Sequence, residues 1–431
     1  MHTPEARCCP EYAELSRRQF VGYSAGSALL ASIATSYAWL PRVSVAESHR
    51  SSQRDVMVHI YLRGASDGLT MCVPYADSAY YAARTSIAVA RPDTSDPNRA
   101  TDLDGFFGLP PAMLPLRQAY LDGKLLFVHA CGSNDPSRSH FEAQRFMEVG
   151  KPGDNTISTG WLGRHVASVA PMDPNAQLRA VGIATGLQQA LVGGPRTLPI
   201  SNLDTFGLTG NNGTRTARSA ALAEMYETAR EPLAAAALTT FQTIDLLNTI
   251  DFANYVPYNA AVYPTNAFGN ALKSAAALIK ANVGVEAIAV DLGGWDTHAN
   301  QGSVTGTMAN LMTSLAGGMG AFYTDLQQPG APSTITVAMS EFGRRVRENG
   351  TQGCDHGHGN AMLVMGNAVA GGRVLRNWPG LDPANLYEGL DLQVTIDYRD
   401  ILAEIVQQRL GNAELSTVFP GFTPTFRGVL A

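Results

Sequence analysis

The sequence predicts an α/β fold, in which a mostly parallel central sheet is covered by helices on both faces. Short apolar runs rich in β-branched residues recur along the chain, without the polar alternation of a half-exposed strand. Longer segments with the apolar spacing of helices lie between several of these runs. The 431 residues, 45% of them hydrophobic, carry a net charge of −6, which is typical of a folded globular protein.

The N-terminal segment is predicted to be a twin-arginine signal peptide over residues 1–46. Residues 16–21 read Ser-Arg-Arg-Gln-Phe-Val, and an apolar run of small residues continues to Leu40. Residues 44–46, Ser-Val-Ala, offer a cleavage site. The sequence therefore predicts export by the twin-arginine translocase, a periplasmic or secreted location and no stable membrane span after processing. The alternative is a retained N-terminal anchor.

The strands are predicted from six buried apolar runs, in chain order: 56–62, 125–130, 180–184, 287–290, 335–339 and 362–365. Each run is short and apolar on both faces, as expected for a sheet that helices cover on both sides. The helices are predicted from five segments with helical apolar spacing: 138–149, 215–248, 266–281, 305–327 and 398–409.

We predict one domain over residues 47–431, with a helical insertion at about 205–265. The insertion is either a cap over a site or a helical hairpin on the surface. The mild acidity argues against nucleic-acid binding, which usually requires a basic face. Only three cysteines follow the signal peptide, so at most one disulfide can form, and we expect buried thiols instead.

The ends of the predicted strands carry most of the reactive side chains. In open α/β sheets, sites form beyond the carboxyl ends of the strands. Acids, hydroxyls or imidazoles follow four of the predicted strands, in the segments 63–68, 132–141, 291–298 and 340–344. A further cluster, Cys-Asp-His-Gly-His-Gly-Asn at 354–360, precedes the last strand. The sequence therefore predicts a polar site along one edge of the sheet.

Several of these side chains are candidate metal ligands. In an extended segment Asp296 and His298 point the same way, and such a pair suits zinc or another divalent ion. Asp355, His356 and His358 stand among glycines that let the backbone approach an ion closely. Asp67 is a further candidate oxygen ligand, with a turn-forming or helix-capping role as the alternative.

Other side chains are candidates for catalysis. Ser137 and Ser139 stand where a helix is predicted to begin, so either can cap the helix or present a hydroxyl near an anion. A metal ion beside such a hydroxyl would make it a nucleophile. Arg344 and His140 are candidates for contacts to an oxyanion, with structural roles as the alternative. Glu341 is a candidate for orienting a ligand.

The motifs resemble those of one known family. The segments that carry the resemblance are Gly-x-x-Asp-Gly-Leu at 64–69, Ser-His-Phe at 139–141, Gly-Gly-Trp-Asp-Thr-His at 293–298, Ser-Glu-Phe-Gly-Arg at 340–344, Asp-His-Gly at 355–357 and Asp-Tyr-Arg-Asp at 397–400. They resemble the exported bacterial family called domain of unknown function 1501. That family is placed near the alkaline phosphatase and sulfatase superfamily.

The resemblance implies an alkaline-phosphatase-like fold and a two-metal hydrolase of phosphate or sulfate esters. By position, one metal site would contain Asp67, Ser139, Asp355 and His356. The second would contain Asp296, His298 and His358. Zinc is the first candidate ion, with manganese, magnesium and calcium as alternatives.

Three functions remain open from the sequence. The leading one is an exported metal-dependent hydrolase of a small-molecule or polymer ester, with Ser139 or Ser137 as nucleophile. The second is a non-catalytic periplasmic protein with the same fold, acting in assembly or export of a surface polymer. The third is a metal-dependent enzyme with another reaction.

Overall fold

The fold is described from a computed structural model that covers residues 54–208 and 210–431. The predicted signal peptide over residues 1–46 lies outside these residues. A nine-stranded sheet forms the centre of the fold, in the order β10-β4-β9-β8-β1-β7-β5-β6, with β11 paired to β4. Its strands are β1 (Val56–Arg63), β4 (Leu125–Gly132), β5 (Ala180–Ile183), β6 (Thr197–Pro199), β7 (Ala287–Gly293), β8 (Thr334–Met339), β9 (Asn360–Gly366), β10 (Arg373–Leu375) and β11 (Ile396–Asp397). A small hairpin joins β2 (Thr101–Asp102) to β3 (Gly108–Leu109).

The sheet is mixed but mostly parallel, which confirms the predicted class. Each of the six predicted runs forms a strand. Strand β9 runs antiparallel to both β4 and β8, whereas the other pairs in the sheet are parallel. No helix lies between β8 and β9 to carry the chain back across the sheet, so the chain turns and returns antiparallel. The segment before β9 therefore lies at the same edge as the carboxyl end of β8.

The described α-helices are α1 (Gly68–Met71), α2 (Ser78–Ala83), α3 (Arg117–Leu121), α4 (His140–Val149), α5 (Trp161–Ser168), α6 (Arg215–Glu227), α7 (Leu233–Leu247), α8 (Ala267–Lys280), α9 (Thr307–Leu326), α10 (Tyr398–Gln408) and α11 (Leu415–Val418). Short 3-10 turns occur at Pro111–Leu116, Gln189–Leu191, Asn212–Thr214, Tyr258–Ala260 and Pro383–Asn385. Four of the five predicted helices begin and end within about two residues of the observed ones. The fifth, predicted over 215–248, is interrupted between α6 and α7, where Pro232 removes a backbone donor.

The two faces of the sheet are both buried under helices, as predicted. Alternate residues of β1 face opposite ways: Val58 and Ile60 join one core, and Met57 and Tyr61 join the other. Helices α8 and α9 complete the first core, whereas α4, α5 and α10 contribute to the second. Because side chains alternate along a strand, a run that is apolar throughout can fill two cores at once.

The described residues divide into two compact units, one formed by 207–238 and the other by 54–206 with 239–431. The small unit contains α6, none of whose side chains is buried, and the start of α7. In the described part of the chain, no helix combines the length and the apolar character needed to cross a membrane. Cys72, Cys131 and Cys354 are buried free thiols, as expected from their number and spacing.

Candidate metal centre

The candidate site lies at the sheet edge where β1, β7 and β8 end and β9 begins. Asp296 and His298 follow β7, and His356 precedes β9. His140 is the first residue of α4, which follows β4. Strand β4 is antiparallel to β9, as β8 is, so the carboxyl ends of β4 and β8 point to the same edge. The topology therefore brings these four side chains together, as expected for an open α/β sheet.

Asp296 stands at the centre of the site. Its Oδ1 atom lies 2.9 Å from His298 Nε2, 3.1 Å from His356 Nε2 and 3.4 Å from His140 Nε2. The Nε2 atoms of His298 and His356 are 3.0 Å apart. Within residues 54–208 and 210–431, one group of three potential ligands has all its ligand atoms within 4.8 Å of one another, namely His140, Asp296 and His356. His298 extends this group to four.

The second nitrogen of each imidazole contacts an acceptor. Nδ1 of His356 lies 2.9 Å from the carbonyl oxygen of Arg138. Nδ1 of His140 lies 2.7 Å from Glu341 Oε1, and Nδ1 of His298 lies 3.3 Å from Asp355 Oδ1. Carbonyl and carboxylate oxygens only accept, so we assign the ring proton of each neutral imidazole to Nδ1. Each Nε2 then carries a lone pair directed towards Asp296, which is the usual arrangement for histidines that bind a metal.

This donor set fits a divalent cation. Two imidazole lone pairs 3.0 Å apart repel each other, and the Asp296 carboxylate adds negative charge beside them. Moreover, Nε2 of His140 is buried and forms no hydrogen bond. A divalent ion held by His140, Asp296, His298 and His356 would accept all four pairs of electrons. Three imidazoles with one carboxylate favour zinc over magnesium and calcium, which prefer oxygen ligands.

The chain around His298 is held by close backbone packing. Trp295 is fully buried and donates from its indole nitrogen to the Leu292 carbonyl, which anchors the loop after β7. Asn349 Nδ2 and Thr351 Oγ1 both donate to the carbonyl of His298. Gly353 lies so close that a Cβ atom there would be 2.3 Å from the His298 carbonyl. The glycine therefore allows the two ligand-bearing loops to touch.

The Arg344 side chain links several backbone segments of the site and is shielded from solvent. Its guanidinium is buried and donates to the carbonyls of Gly64, Ala65, Trp295 and Cys354, and also to Asp296 Oδ1 at 2.8 Å. Burial disfavours ionisation of Asp296, but the hydrogen bond and positive charge of Arg344 oppose it, and the pKa of Asp296 lies well below its ordinary value. Asp296 is therefore an ionised ligand candidate.

Glu341 contacts the His140 ring on the side away from Asp296. It is buried and accepts from the backbone N–H groups of Gly64 and Ala65, from Gln144 and from His140. Burial by itself would raise the pKa of Glu341. The hydrogen bonds that the carboxylate accepts together have a larger effect, so its pKa lies below the ordinary value. The hydrogen bond to Glu341 in turn raises the pKa of His140, against the effect of burial. Glu341 thus holds the His140 ring by a hydrogen bond, and its role in orienting a ligand stays a prediction.

Asp355 has the same relation to His298 that Glu341 has to His140. Its Oδ1 atom contacts Nδ1 of His298 and accepts from Asn349 Nδ2 at 3.1 Å. The structure therefore places Asp355 one step outside the group around Asp296. Gly357, between His356 and His358, touches the backbone of Arg344, where a Cβ would come within 2.4 Å. The glycines predicted to wrap an ion instead allow backbone to pack on backbone.

Two further candidate ligands from the sequence lie outside the group. Asp67 is buried, and Arg84 donates to both of its carboxylate oxygens. His358 is also buried, and its ring stacks on Tyr387 with the ring centroids 4.5 Å apart. Neither side chain contributes an atom to the cluster around Asp296.

The two candidate nucleophiles differ in their contacts. Ser137 Oγ donates to Glu142 at 2.7 Å and accepts from the Ser139 backbone N–H. Ser139 is the residue before the first turn of α4, and its hydroxyl makes no capping hydrogen bond. The Ser139 hydroxyl is thus less engaged in hydrogen bonds than the Ser137 hydroxyl, and Ser139 is adjacent in sequence to His140.

Fold and site together define an α/β protein with a histidine-rich candidate metal centre. The model of the family described as protein of unknown function (DUF1501) matches residues 129–416. The chain belongs to this family. No curated protein matches the sequence.

Proposed function

We propose that the protein is a metal-dependent hydrolase that acts on phosphate or related esters and holds a divalent ion at His140, Asp296, His298 and His356. The observation that carries the proposal is the convergence of three imidazole Nε2 atoms on one carboxylate oxygen, with an acceptor behind each ring. Such paired contacts are typical of metal-binding histidines.

The ion would supply Lewis acidity, which polarises an ester oxygen and favours deprotonation of a nearby nucleophile. The protein supplies the positions. Asp296 and His298 are 46% and 44% exposed, so an ester can reach the site from solvent. Ser139 stands at the N-terminus of α4, where free backbone N–H groups favour an anionic group. We therefore favour Ser139 over Ser137 as the nucleophile.

The proposal needs one ion rather than two. The resemblance to two-metal hydrolases assigns Asp67 and His358 to metal sites, but both have other partners here. Zinc is the ion we propose first, because nitrogen ligands dominate the group.

Metal content and turnover test the proposal together. We expect purified protein, kept free of chelators, to bind one equivalent of zinc per chain. Zinc at 100 times its dissociation constant would stabilise the fold by about 2.7 kcal/mol, measured as a rise in melting temperature. We expect hydrolysis of a chromogenic phosphate ester to be lost in Ser139→Ala and retained in Ser137→Ala.

The outcomes separate the candidate functions. A folded protein that binds none of zinc, manganese, magnesium and calcium would contradict the metal proposal. A protein that binds zinc but hydrolyses no phosphate or sulfate ester would favour the non-catalytic role in assembling or exporting a surface polymer. Hydrolysis that persists in Ser139→Ala would be compatible with the proposed metal centre but would reject Ser139 as the nucleophile.

We also propose that the protein is exported by the twin-arginine translocase. The support is the Arg17-Arg18 pair followed by an apolar run. We expect the double change Arg17→Lys and Arg18→Lys to leave the protein in the cytoplasm, as measured by cell fractionation. Unchanged export of this variant would reject the pathway.

A further inference from the structure

The Asp67 carboxylate lies at the centre of a buried hydrogen-bond network. Arg84 donates to both carboxylate oxygens, at 2.5 Å and 3.0 Å, and is itself fully buried. Thr70 Oγ1 donates to Asp67 Oδ2 at 2.7 Å. Gln301 Nε2 donates to the same oxygen at 2.6 Å. A buried carboxylate with this many donors has no free electron pair directed at solvent.

One arm of this network reaches the candidate metal ligands. The side chain of Gln301 accepts a hydrogen bond from Thr297 Oγ1 at 3.1 Å. Thr297 stands between Asp296 and His298 in the sequence. Its side chain and that of Gln301 are buried, whereas those of Asp296 and His298 are nearly half exposed. The inward side of the loop is thus held by the network, and the outward side presents the ligands.

The direction of each hydrogen bond in this arm follows from its chemistry. An ionised carboxylate only accepts, so the amide of Gln301 must turn its NH2 group towards Asp67. Its carbonyl oxygen then faces Thr297, whose hydroxyl must donate. Burial tends to raise the pKa of Asp67, but the Arg84 charge and these donors hold it below its ordinary value. Each of these groups accordingly has one compatible orientation.

We propose that Asp67 is a positioning residue, which holds Asp296 and His298 in place through Gln301 and Thr297. This inference rests on the proposed metal centre but assigns Asp67 a role other than that of a ligand. Arg84 also donates to the carbonyls of Arg345 and Val346, in the chain that leads to His356. The network therefore connects both loops that carry the ligands.

Substitutions at the far end of the arm test the inference, because changing Asp67 itself would strand the buried Arg84. Thr297→Val keeps the shape of the side chain and removes the hydroxyl. We expect it to weaken zinc binding about 10-fold, the low end of the loss for a direct partner of a metal ligand, because Thr297 acts through the position of the loop. Thr297→Ser restores the hydroxyl and is expected to restore the affinity.

Thr70→Val is the matched control. It removes a hydrogen bond to the same oxygen of Asp67, and the Thr70 hydroxyl bonds to Asp67 and Arg84 rather than to Gln301 or Thr297. We expect Thr70→Val to lower the melting temperature as much as Thr297→Val does and to bind zinc as the unchanged protein does. Equal zinc affinities for Thr297→Val and the unchanged protein would overturn the inference.

A second readout does not depend on a bound metal. We expect amide hydrogen exchange over residues 295–301 to be faster in Thr297→Val than in Thr70→Val, measured in the presence of chelator. Faster exchange in a protein that binds no zinc would support the positioning role and reject the proposed metal centre. Equal exchange in the two variants would reject the positioning role, whatever the protein binds.

Discussion

Asp296 and Asp325 each gather several polar side chains, yet their surroundings are opposite in character. Asp325, in α9, is fully buried and accepts from the hydroxyls of Tyr255 and Tyr263, each at 2.8 Å. It also accepts from the Tyr258 backbone N–H and pairs with Lys280. Burial raises the pKa of both tyrosine hydroxyls, so they remain protonated donors. Every group around Asp325 therefore donates.

Asp296 is half exposed, and three of its neighbours are imidazole nitrogens whose protons are assigned to the opposite side of the ring. Only Arg344 is a permanent donor to it. The difference distinguishes the candidate metal centre around Asp296 from a structural clamp. The clamp consists of Asp325 and its donors Tyr255, Tyr258, Tyr263 and Lys280. An aspartate surrounded by donors is complete as it stands, whereas one surrounded by lone pairs can hold a cation, as we propose for Asp296.

The largest expected effect is on the clamp. Asp325→Ala leaves Lys280 nearly buried without its counter-charge and should reduce the free energy of unfolding by about 3–5 kcal/mol. Urea unfolding measures this loss. Zinc affinity should be unchanged, because Asp325 contacts none of the candidate ligands. A large loss of zinc binding in folded Asp325→Ala would remove the distinction between the two centres.

The next effect is on the metal centre. His298→Ala should weaken zinc binding by at least about 100-fold, since loss of a ligand costs no less than loss of its supporting partner. Its metal-free stability should change by no more than about 0.5 kcal/mol, because the side chain is 44% exposed. Isothermal titration and chemical unfolding measure the two quantities.

His358→Phe provides the control for the histidine change. It preserves a ring against Tyr387 and removes both imidazole nitrogens. We expect it to bind zinc as tightly as the unchanged protein. Weak binding in this variant would instead assign His358 to the metal centre, as the resemblance to two-metal hydrolases implies.

A smaller effect is expected for a residue that contacts a candidate ligand without being one itself. Glu341→Gln leaves an oxygen that can accept from His140 and the backbone but removes the negative charge that strengthens these hydrogen bonds. We expect about a 10-fold loss of zinc affinity, measured by competition with a coloured chelator. Glu142→Gln changes an exposed acid in the same helix as His140 and should leave the affinity unchanged. A full-affinity Glu341→Gln variant would show that the charge of Glu341 does not strengthen zinc binding through His140.

The smallest effect is again in the clamp. Tyr263→Phe removes one of several donors to Asp325 and should cost about 1 kcal/mol of stability, measured by thermal unfolding. Tyr323→Phe is the comparison, because Tyr323 donates to Asp122 in an exposed pair and should cost less. Equal costs for the two changes would show that burial does not strengthen the clamp.

The secondary structure was predictable where an element is long enough to show a period. The runs that form β1, β4, β7 and β8 each contain at least four apolar residues, and each strand appears at the predicted place. Strands β10 and β11 have only three and two residues, too few for any apolar pattern. The direction of β9 was also not readable, because apolar content does not specify strand orientation.

The site was predictable in its membership more than in its roles. Asp296, His298 and His356 are singled out by the sequence and lie together, and their role as ligands stays a prediction. His140 is a candidate for an oxyanion contact or for a structural role, and the structure places its Nε2 atom beside Asp296. The signal for His140 was its place at the start of a helix after a strand, which does not reveal which ring nitrogen faces the site.

The sequence by itself determined the α/β class, the two buried faces of the sheet, the family and the edge at which polar side chains gather. These depend on composition, periodicity and short motifs, which are properties of residues close together in the sequence. Only the tertiary structure decided that Asp67 pairs with Arg84, that His358 stacks on Tyr387 and that three imidazoles face Asp296. Such pairings depend on side-chain direction and on residues distant in sequence, which meet only when the chain is folded.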